Sequence, residues 1–252
     1  MKPIGRVYLV GAGPGAADLL TVRAARLLAS ADVVLHDALV GDDVLALAPR
    51  AQKIAVGKRC GAQSTSQRFI NKRLVDAAMR AKVVVRLKGG DPMLFGRAHE
   101  EIAALAAAGI DCEVVPGVTA ALAAAADAKM SLTRRGVARS VAFVTPRIGE
   151  GERRNEWARA AAAADTAVIY MGAGDAIGVT RALSHAGLPL STPVSFVESA
   201  SRPDAVVQRG ILAALPGLAA ARGNGPALIV VGQVCAGAVA SQPAAAARVA
   251  AG

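Results

Sequence analysis

The chain is poor in aromatic residues and has no clusters of cysteine, histidine or basic residues, and each shortage excludes a class of protein. Aromatic residues make up 3% of the 252 residues and no Lys/Arg-rich block appears, so the stacking surfaces that bind single-stranded nucleic acid are scarce. Cys60, Cys112 and Cys235 lie far apart and form no Cys-x-x-Cys pair, which excludes zinc-finger spacing and favours reduced thiols. The three histidines are equally scattered, so we predict no metal site.

Long apolar segments are also missing. No run of about 18 apolar residues lacks a charge or a helix breaker, so we predict no transmembrane helix. The amino terminus leads directly into a strand-like run, and we expect no signal peptide and a cytoplasmic location. Hydrophobic residues are 54% of the chain, enough for a sizeable core.

Negative charge is in short supply, which leaves a formal net charge of +10. Such a balance suits an anionic partner. A small polyanionic substrate and a non-enzymatic basic binding module are both compatible with it, and the second would bind nucleic acid in a salt-sensitive way. Because aromatic residues are so few, we expect no nucleic-acid partner.

Apolar runs and helical patterns alternate through residues 1–115, which predicts an N-terminal α/β domain with a parallel sheet. Residues 116–235 differ, because the strands near residues 194–197 and 205–208 leave no room for a crossover helix. Such strands pair antiparallel, so we predict a second α/β domain with a mixed sheet. Residues 236–252 are predicted to be a disordered tail.

Glycine-rich loops follow three predicted strands. The first, Gly11-x-Gly13-x-x-Ala16, fits the relaxed dinucleotide fingerprint, and Asp37 would then be the ribose-binding acid of an NAD-dependent dehydrogenase. Pro14-Gly15 delays the following helix, which counts against that interpretation. Two further loops, at residues 89–92 and 116–119, suggest instead a ligand held by several loops.

A specific set of motifs occupies these loops and their neighbours: Gly11-Ala12-Gly13-Pro14-Gly15, Gly57-Lys58-Arg59, Arg86-Leu87-Lys88-Gly89-Gly90-Asp91-Pro92, Pro116-Gly117-Val118-Thr119-Ala120 and Tyr170-Met171-Gly172. Together they resemble the tetrapyrrole methylases, the class III S-adenosylmethionine-dependent methyltransferases. Within that family the resemblance is to the uroporphyrinogen-III C-methyltransferase branch, and it runs from about residue 6 to residue 234.

The resemblance implies two α/β domains with a cofactor cleft between them, in a homodimer. It implies S-adenosyl-L-methionine as methyl donor, S-adenosyl-L-homocysteine as its product, and methylation of uroporphyrinogen III at C-2 and C-7. The resulting precorrin-2 feeds siroheme and/or cobalamin synthesis, with the later steps expected from other proteins. The cofactor-binding positions carried over are Pro14, Gly89, Gly90, Asp91, Leu94, Thr119, Ala120, Met171, Ala200 and Ala227.

The resemblance also implies catalytic roles, with Asp37 as the base and Lys58 as a proton donor. Binding of a substrate carboxylate is kept as the alternative role of Lys58. The chain departs from the family pattern at His36-Asp37-Ala38, where Tyr-Asp-Arg is usual, and at Thr145-Pro146-Arg147, where Thr-Gly-His is usual. A methylase of a later precorrin is therefore kept as an alternative. The basic residues expected to pair with substrate carboxylates are Arg59, Arg86, Lys88, Arg97, Arg134, Arg135 and Arg139.

Overall fold

A computed structural model describes residues 5–57, 66–149 and 155–237. The chain divides into two compact units, Met1–Ala120 and Ala121–Gly252, and each is described by itself. The predicted domain bounds of 1–115 and 116–235, and the predicted cofactor cleft, stay predictions. Of the predicted tail, residues 238–252 lie outside the described residues.

The first unit contains a five-stranded parallel sheet with the strand order β3-β2-β4-β1-β5, which confirms the predicted parallel sheet. Its strands are β1 (Arg6–Gly11), β2 (Val33–His36), β3 (Gln52–Ala55), β4 (Val83–Lys88) and β5 (Cys112–Val115). Its helices are α1 (Val22–Ser30), α2 (Asp42–Ala46), α3 (Gln67–Ala78) and α4 (Ala98–Ala107).

The central strand β4 contributes to a core on each face of this sheet. Val84 packs in the cluster that contains Leu74 of α3 and Leu105 of α4, whereas Val85 and Leu87 pack in the cluster built on α1. Side chains alternate between faces along a strand. Arg86 and Lys88 therefore lie on the same face of the sheet as Val84, under α3 and α4, and both are buried.

The order of these strands differs from the dinucleotide-binding order, in which the first and second strands are neighbours. Here β4 lies between β1 and β2, so Asp37, which follows β2, is not beside the loop that follows β1. Helix α1 begins only at Val22, capped by Thr21, which agrees with the delay expected from Pro14-Gly15. The arrangement does not support the dehydrogenase alternative.

The second unit contains a mixed sheet with the order β6-β7-β10-β8-β9, in which only β6 and β7 pair in parallel. This confirms the predicted mixed sheet and the antiparallel pair. Its strands are β6 (Val141–Val144), β7 (Thr166–Tyr170), β8 (Pro193–Glu198), β9 (Val206–Ile211) and β10 (Ala227–Gly232). The helices here are α5 (Ala120–Asp127), which begins at the last residue of the first unit, α6 (Trp157–Ala163), α7 (Ala176–His185) and α8 (Leu215–Ala220).

Two of these helices, α6 and α8, were not predicted from the sequence. Helix α6 is short and rich in alanine, so it carries little of the apolar periodicity that identifies an amphipathic helix. Helix α8 has six residues and contains Pro216 and Gly217, which in a sequence indicate a turn. Across residues 5–57, 66–149 and 155–237, no helix combines the length and the apolar character needed to cross a bilayer.

Candidate active site

The first and second glycine loops are bonded to each other at the carboxyl edge of the parallel sheet. The Gly13 amide donates to the Gly90 carbonyl oxygen at 3.2 Å, and the Gly90 amide donates to the Gly13 carbonyl oxygen at 2.7 Å. Gly90 has φ of +67°, a conformation that glycine adopts at little cost. The two loops therefore form one fixed piece of backbone.

The third loop packs against this pair with no space for a side chain. A Cβ added to Gly117 would lie 2.3 Å from the Gly90 carbonyl oxygen, and one added to Gly11 would lie 2.5 Å from the Gly117 Cα. Glycine is required at both positions because backbones approach each other there. Gly11 and Gly117 thus have a packing role.

Gly89 and Gly90 are packed less tightly: both are partly exposed, and a Cβ added to Gly89 would make only an ordinary contact with the Leu39 side chain, at 3.5 Å. A Cβ added to Gly90 would meet Thr119 Cα and the Ala120 amide nitrogen only at 3.9 Å. A ligand can therefore approach the backbone of residues 89–90 and 119–120 closely, which a row of side chains would prevent. These residues fit a cofactor bound through backbone groups, as predicted for S-adenosylmethionine.

The Asp91 carboxylate accepts hydrogen bonds from backbone amides of the second and third loops. Its Oδ1 accepts from the Met93 amide at 2.8 Å, and its Oδ2 accepts from the Gly117 amide at 2.9 Å. A carboxylate that accepts backbone amides is a strong acceptor. Asp91 therefore ties the second loop to the third, and it shapes the backbone that the predicted cofactor would contact.

The other predicted cofactor residues of the first unit lie on these loops. Pro14 follows Gly13 and is half-buried, and Leu94 is in the turn after Asp91, where its amide donates to the Asp91 carbonyl oxygen at 3.3 Å. Thr119 and Ala120 lie at the start of α5. The structure thus brings Pro14, Gly89–Asp91, Leu94, Thr119 and Ala120 to one edge of the sheet.

In the second unit, Met171, Ala200 and Ala227 come together at one edge of the mixed sheet. Met171 follows β7, Ala200 lies just beyond β8, and Ala227 opens β10, which pairs with both strands. Met171 is 44% exposed and has φ of +57°. A positive φ at a methionine is strained, and such strain is often found at functional sites.

The predicted base, Asp37, lies at the end of β2 and is held by an arginine. Arg86 Nη2 donates to Asp37 Oδ1 at 2.6 Å, and the Asp37 side chain remains 29% exposed. Arg86 thus supplies a partner for Asp37 where Ala38 replaces the arginine usual in the family. Lys58, the predicted proton donor, lies outside the described residues.

Arg86 belongs to a buried chain of alternating charges. Arg86 Nε donates to Glu101 Oε1 at 2.9 Å, and Lys88 Nζ lies 2.9 Å from Glu101 Oε2. Glu101 is on α4 and is fully buried. Sequence reasoning missed Glu101, although its position on the buried face of α4, between Ala98 and Leu105, places a charge where an apolar residue is expected.

The two buried cations differ in how firmly they hold a proton. Burial opposes the charge of Arg86, but Asp37 and Glu101 outweigh it and raise the pKa of Arg86 above its ordinary value. Burial, and then the charge of Arg86, lower the pKa of Lys88. Arg86 is therefore a permanent cation between two carboxylates.

The predicted set of substrate-binding cations needs correction at two positions. Arg86 and Lys88 are 2% and 3% exposed, because α3 and α4 cover their face of β4, so they are not available to a substrate. Arg97 is exposed and pairs with Glu100 at 2.6 Å. Arg134, Arg135 and Arg139 are exposed, and Arg59 lies outside the described residues.

Comparison with known proteins agrees with these motifs. A family model described as Tetrapyrrole (Corrin/Porphyrin) Methylases matches residues 6–216. The chain belongs to the tetrapyrrole methylases.

Within the part of this methylase that the structure describes, no group of three or more His, Cys, Asp or Glu side chains is arranged to hold a metal ion.

Two solved methylases share the fold of this tetrapyrrole methylase. Uroporphyrin-III C-methyl transferase from Thermus thermophilus, solved with S-adenyl homocysteine, is 41% identical with a TM-score of 0.80, and the match covers 91% of this chain and 98% of that one. A cobalt precorrin-4 methyltransferase is 30% identical with a TM-score of 0.77, covering 91% of this chain and 95% of that one. These likenesses confirm the predicted family and fold.

Curated relatives are longer than this methylase. The siroheme synthase of Chromobacterium violaceum is 49% identical over 232 residues, which cover 91% of this chain and 49% of the relative. The chain thus spans about half the length of the curated relatives that it matches.

Proposed function

We propose that this methylase transfers methyl groups from S-adenosylmethionine to C-2 and C-7 of uroporphyrinogen III, which gives precorrin-2 for siroheme and/or cobalamin synthesis. The observation that carries the proposal is the set of interlocked glycine loops. They occur in a chain similar, over nearly all its length, to a uroporphyrin-III C-methyl transferase solved with S-adenyl homocysteine. The siroheme synthases among its relatives favour the siroheme branch.

The residues proposed to hold the cofactor act mainly through backbone and small side chains. S-adenosylmethionine, when bound, supplies an electrophilic methyl group. Gly89, Gly90 and Thr119 offer backbone groups that a ligand can approach closely, and Asp91 keeps these loops in place. Met171 offers a soft, adaptable contact. Fixing the reactants in line supplies much of the acceleration of such a displacement.

Asp37 is proposed as the base. Each transfer would form a carbon–carbon bond as the methyl–sulfur bond of the donor breaks, which leaves S-adenosylhomocysteine. The macrocycle then loses a proton, and a positioned carboxylate accepts it. Asp37 is suited to this role because one oxygen is fixed by Arg86 while the side chain remains partly exposed. Lys58 is proposed as the proton donor or as a ligand of a substrate carboxylate.

The substrate is a polycarboxylate, and the chain's net charge of +10 favours its approach. Exposed arginines at positions 134, 135 and 139 are the proposed partners of its carboxylates, because guanidinium groups match carboxylate geometry.

The protein is further proposed to be a cytoplasmic homodimer. Exposed apolar side chains such as Leu122 and Phe143 support self-association, which light scattering would test.

Turnover with defined substrates tests the proposal. We expect purified protein, given uroporphyrinogen III and S-adenosylmethionine without oxygen, to form a dimethylated tetrapyrrole that mass spectrometry identifies. Protein that binds S-adenosylhomocysteine but methylates nothing would contradict the proposal.

Calorimetry with NAD(H) tests the dehydrogenase alternative, and we expect no binding.

A methylase of a later precorrin is the second candidate, favoured by the 30% identity to a cobalt precorrin-4 methyltransferase. Uroporphyrinogen III and later precorrins offered in competition would separate the two. Preferential methylation of a later precorrin would favour the second candidate.

A further inference from the structure

The Asp37 carboxylate is held from inside the protein. Arg86, its partner, is 3% exposed at the side chain, and its guanidinium donates in three directions. Nη2 donates to Asp37, Nε donates to Glu101, and Nη1 donates to the Leu87 carbonyl oxygen at 3.2 Å. A guanidinium fixed at three points has little freedom to rotate, so it fixes Asp37 Oδ1 in turn.

Glu101 sets the position of Arg86. It is the only carboxylate besides Asp37 to which Arg86 donates in the described part of the chain. Its other oxygen is held by Lys88 at 2.9 Å, and Gln67 Nε2 donates to Oε1 at 3.4 Å. Because Lys88 and Gln67 hold the Glu101 carboxylate in place, Glu101 in turn fixes the Arg86 guanidinium through Nε, while Nη2 binds Asp37.

The energetics argue that this chain of charges is kept for more than stability. Removing ions from water costs several kcal/mol for each ion, and an apolar cluster of similar volume is often as stable as a buried ion pair. Here the charges alternate as Asp37, Arg86, Glu101 and Lys88, and of these Asp37 alone is more than slightly exposed. A buried network that ends on one accessible carboxylate is suited to orienting that carboxylate.

We propose that Glu101 is a positioning residue for Asp37 and that it acts through Arg86. The inference rests on the proposed function, in which Asp37 is the base. Glu101 itself touches neither substrate nor cofactor in this proposal. Its removal therefore changes how well Asp37 is aimed, and not how well the ligands bind.

The test is a double-mutant cycle on turnover of the full chain with uroporphyrinogen III. We expect Glu101→Gln to lower kcat by roughly 10- to 100-fold, since a small misplacement of a reacting group has effects of this order. KM and the affinity for S-adenosylhomocysteine should stay within about threefold, since the residue contacts neither ligand. Combining Glu101→Gln with Asp37→Asn should lower kcat no further than Asp37→Asn alone.

The matched control is Asp32→Asn. Asp32 precedes β2 as Asp37 follows it, and its Oδ2 accepts from the Lys82 and Val83 amides at 2.9 Å each. We expect this change to lower stability and leave kcat unaltered.

Several outcomes would overturn the proposal. One is a folded Glu101→Gln variant with the kcat of the wild type. Another is a double variant whose loss of kcat equals the product of the losses in the two single variants. Absence of turnover by the wild type would instead refute the proposed function. Should Glu101→Gln not fold, Arg86→Lys keeps a buried cation but cannot span both carboxylates, and the same loss of kcat is expected. If neither variant binds S-adenosylhomocysteine, the network serves folding alone and the positioning role is withdrawn.

Discussion

Strand β2 has an aspartate just before it and another just after it, and both reach across to β4. Asp32, at the amino end, accepts two backbone amides at the start of β4. Asp37, at the carboxyl end, accepts from the side chain of Arg86. The same residue type thus binds backbone amides at one end of the strand and a buried arginine side chain at the other.

The rest of the sheet repeats this contrast. At the amino end, Arg6 pairs with Asp111 and Glu113 in exposed ion pairs, which contribute little to stability. At the carboxyl end, the glycine loops interlock and Arg86, Lys88 and Glu101 are buried. Ligands of open α/β sheets bind beyond the carboxyl ends of strands, and the difference between the two edges follows that rule.

The largest effect is expected from Asp37→Asn, which removes the carboxylate at the carboxyl end of β2. Losing the proposed base should lower kcat about 10²–10⁴-fold, while the affinity for S-adenosylhomocysteine stays within a few-fold. Steady-state kinetics and calorimetry measure the two quantities. Turnover equal to that of the wild type would rule out Asp37 as the base.

Gly117→Ala should have the next largest effect. The added Cβ would lie 2.3 Å from the Gly90 carbonyl oxygen, so the loops must separate at a cost of about 1–3 kcal/mol. We expect a loss of S-adenosylhomocysteine affinity of about tenfold, since 1.4 kcal/mol is a factor of ten. Gly217→Ala on α8, where nothing lies within 4 Å of the added Cβ, is the control. Equal affinities for both variants would refute the role of the loops.

Asp91→Ala removes the carboxylate that joins the second and third loops. The two amides that it satisfies lose their acceptor, at a cost of about 1–3 kcal/mol, and the affinity for S-adenosylhomocysteine should fall severalfold. Titration calorimetry gives the affinity, and thermal unfolding gives the loss of stability. Unaltered affinity in a destabilised variant would show that Asp91 only shapes the turn.

The smallest effect concerns Cys112, at the amino end of β5. Burial and then the charge of Asp111 raise the pKa of this thiol to about 11, from an ordinary value of 9.0. Stability from the neutral thiol is therefore present below pH 9 and is lost as the pH rises through about 11. We expect iodoacetamide to alkylate the Cys112 thiol slowly at pH 8 and rapidly only above the shifted pKa. Mass spectrometry measures the rate of alkylation. Labelling at pH 8 as fast as that of an unfolded control would contradict this.

Much of this architecture is local in origin and could be predicted from the sequence. The β-branched run at residues 83–85 and the breakers at residues 89–92 define a buried strand and the loop that ends it. Few residues separate β8 from β9, so no crossover helix fits between them and the two strands pair antiparallel. Helix α6 escaped prediction because its alanines carry little amphipathic signal, and helix α8 because Pro216 and Gly217 indicate a turn.

The strands and the glycine loops could be predicted from the sequence, because they depend on backbone preferences within a few residues, and the family motifs are residue patterns in the sequence. The position of β4 between β1 and β2, which separates Asp37 from the first glycine loop, is known only from the folded structure. The folded structure also decided what faces Arg86: strand alternation fixes the side of the sheet to which a residue points, but not the residue opposite it. Glu101, from a different element, is brought there by the packing of α4 on β4.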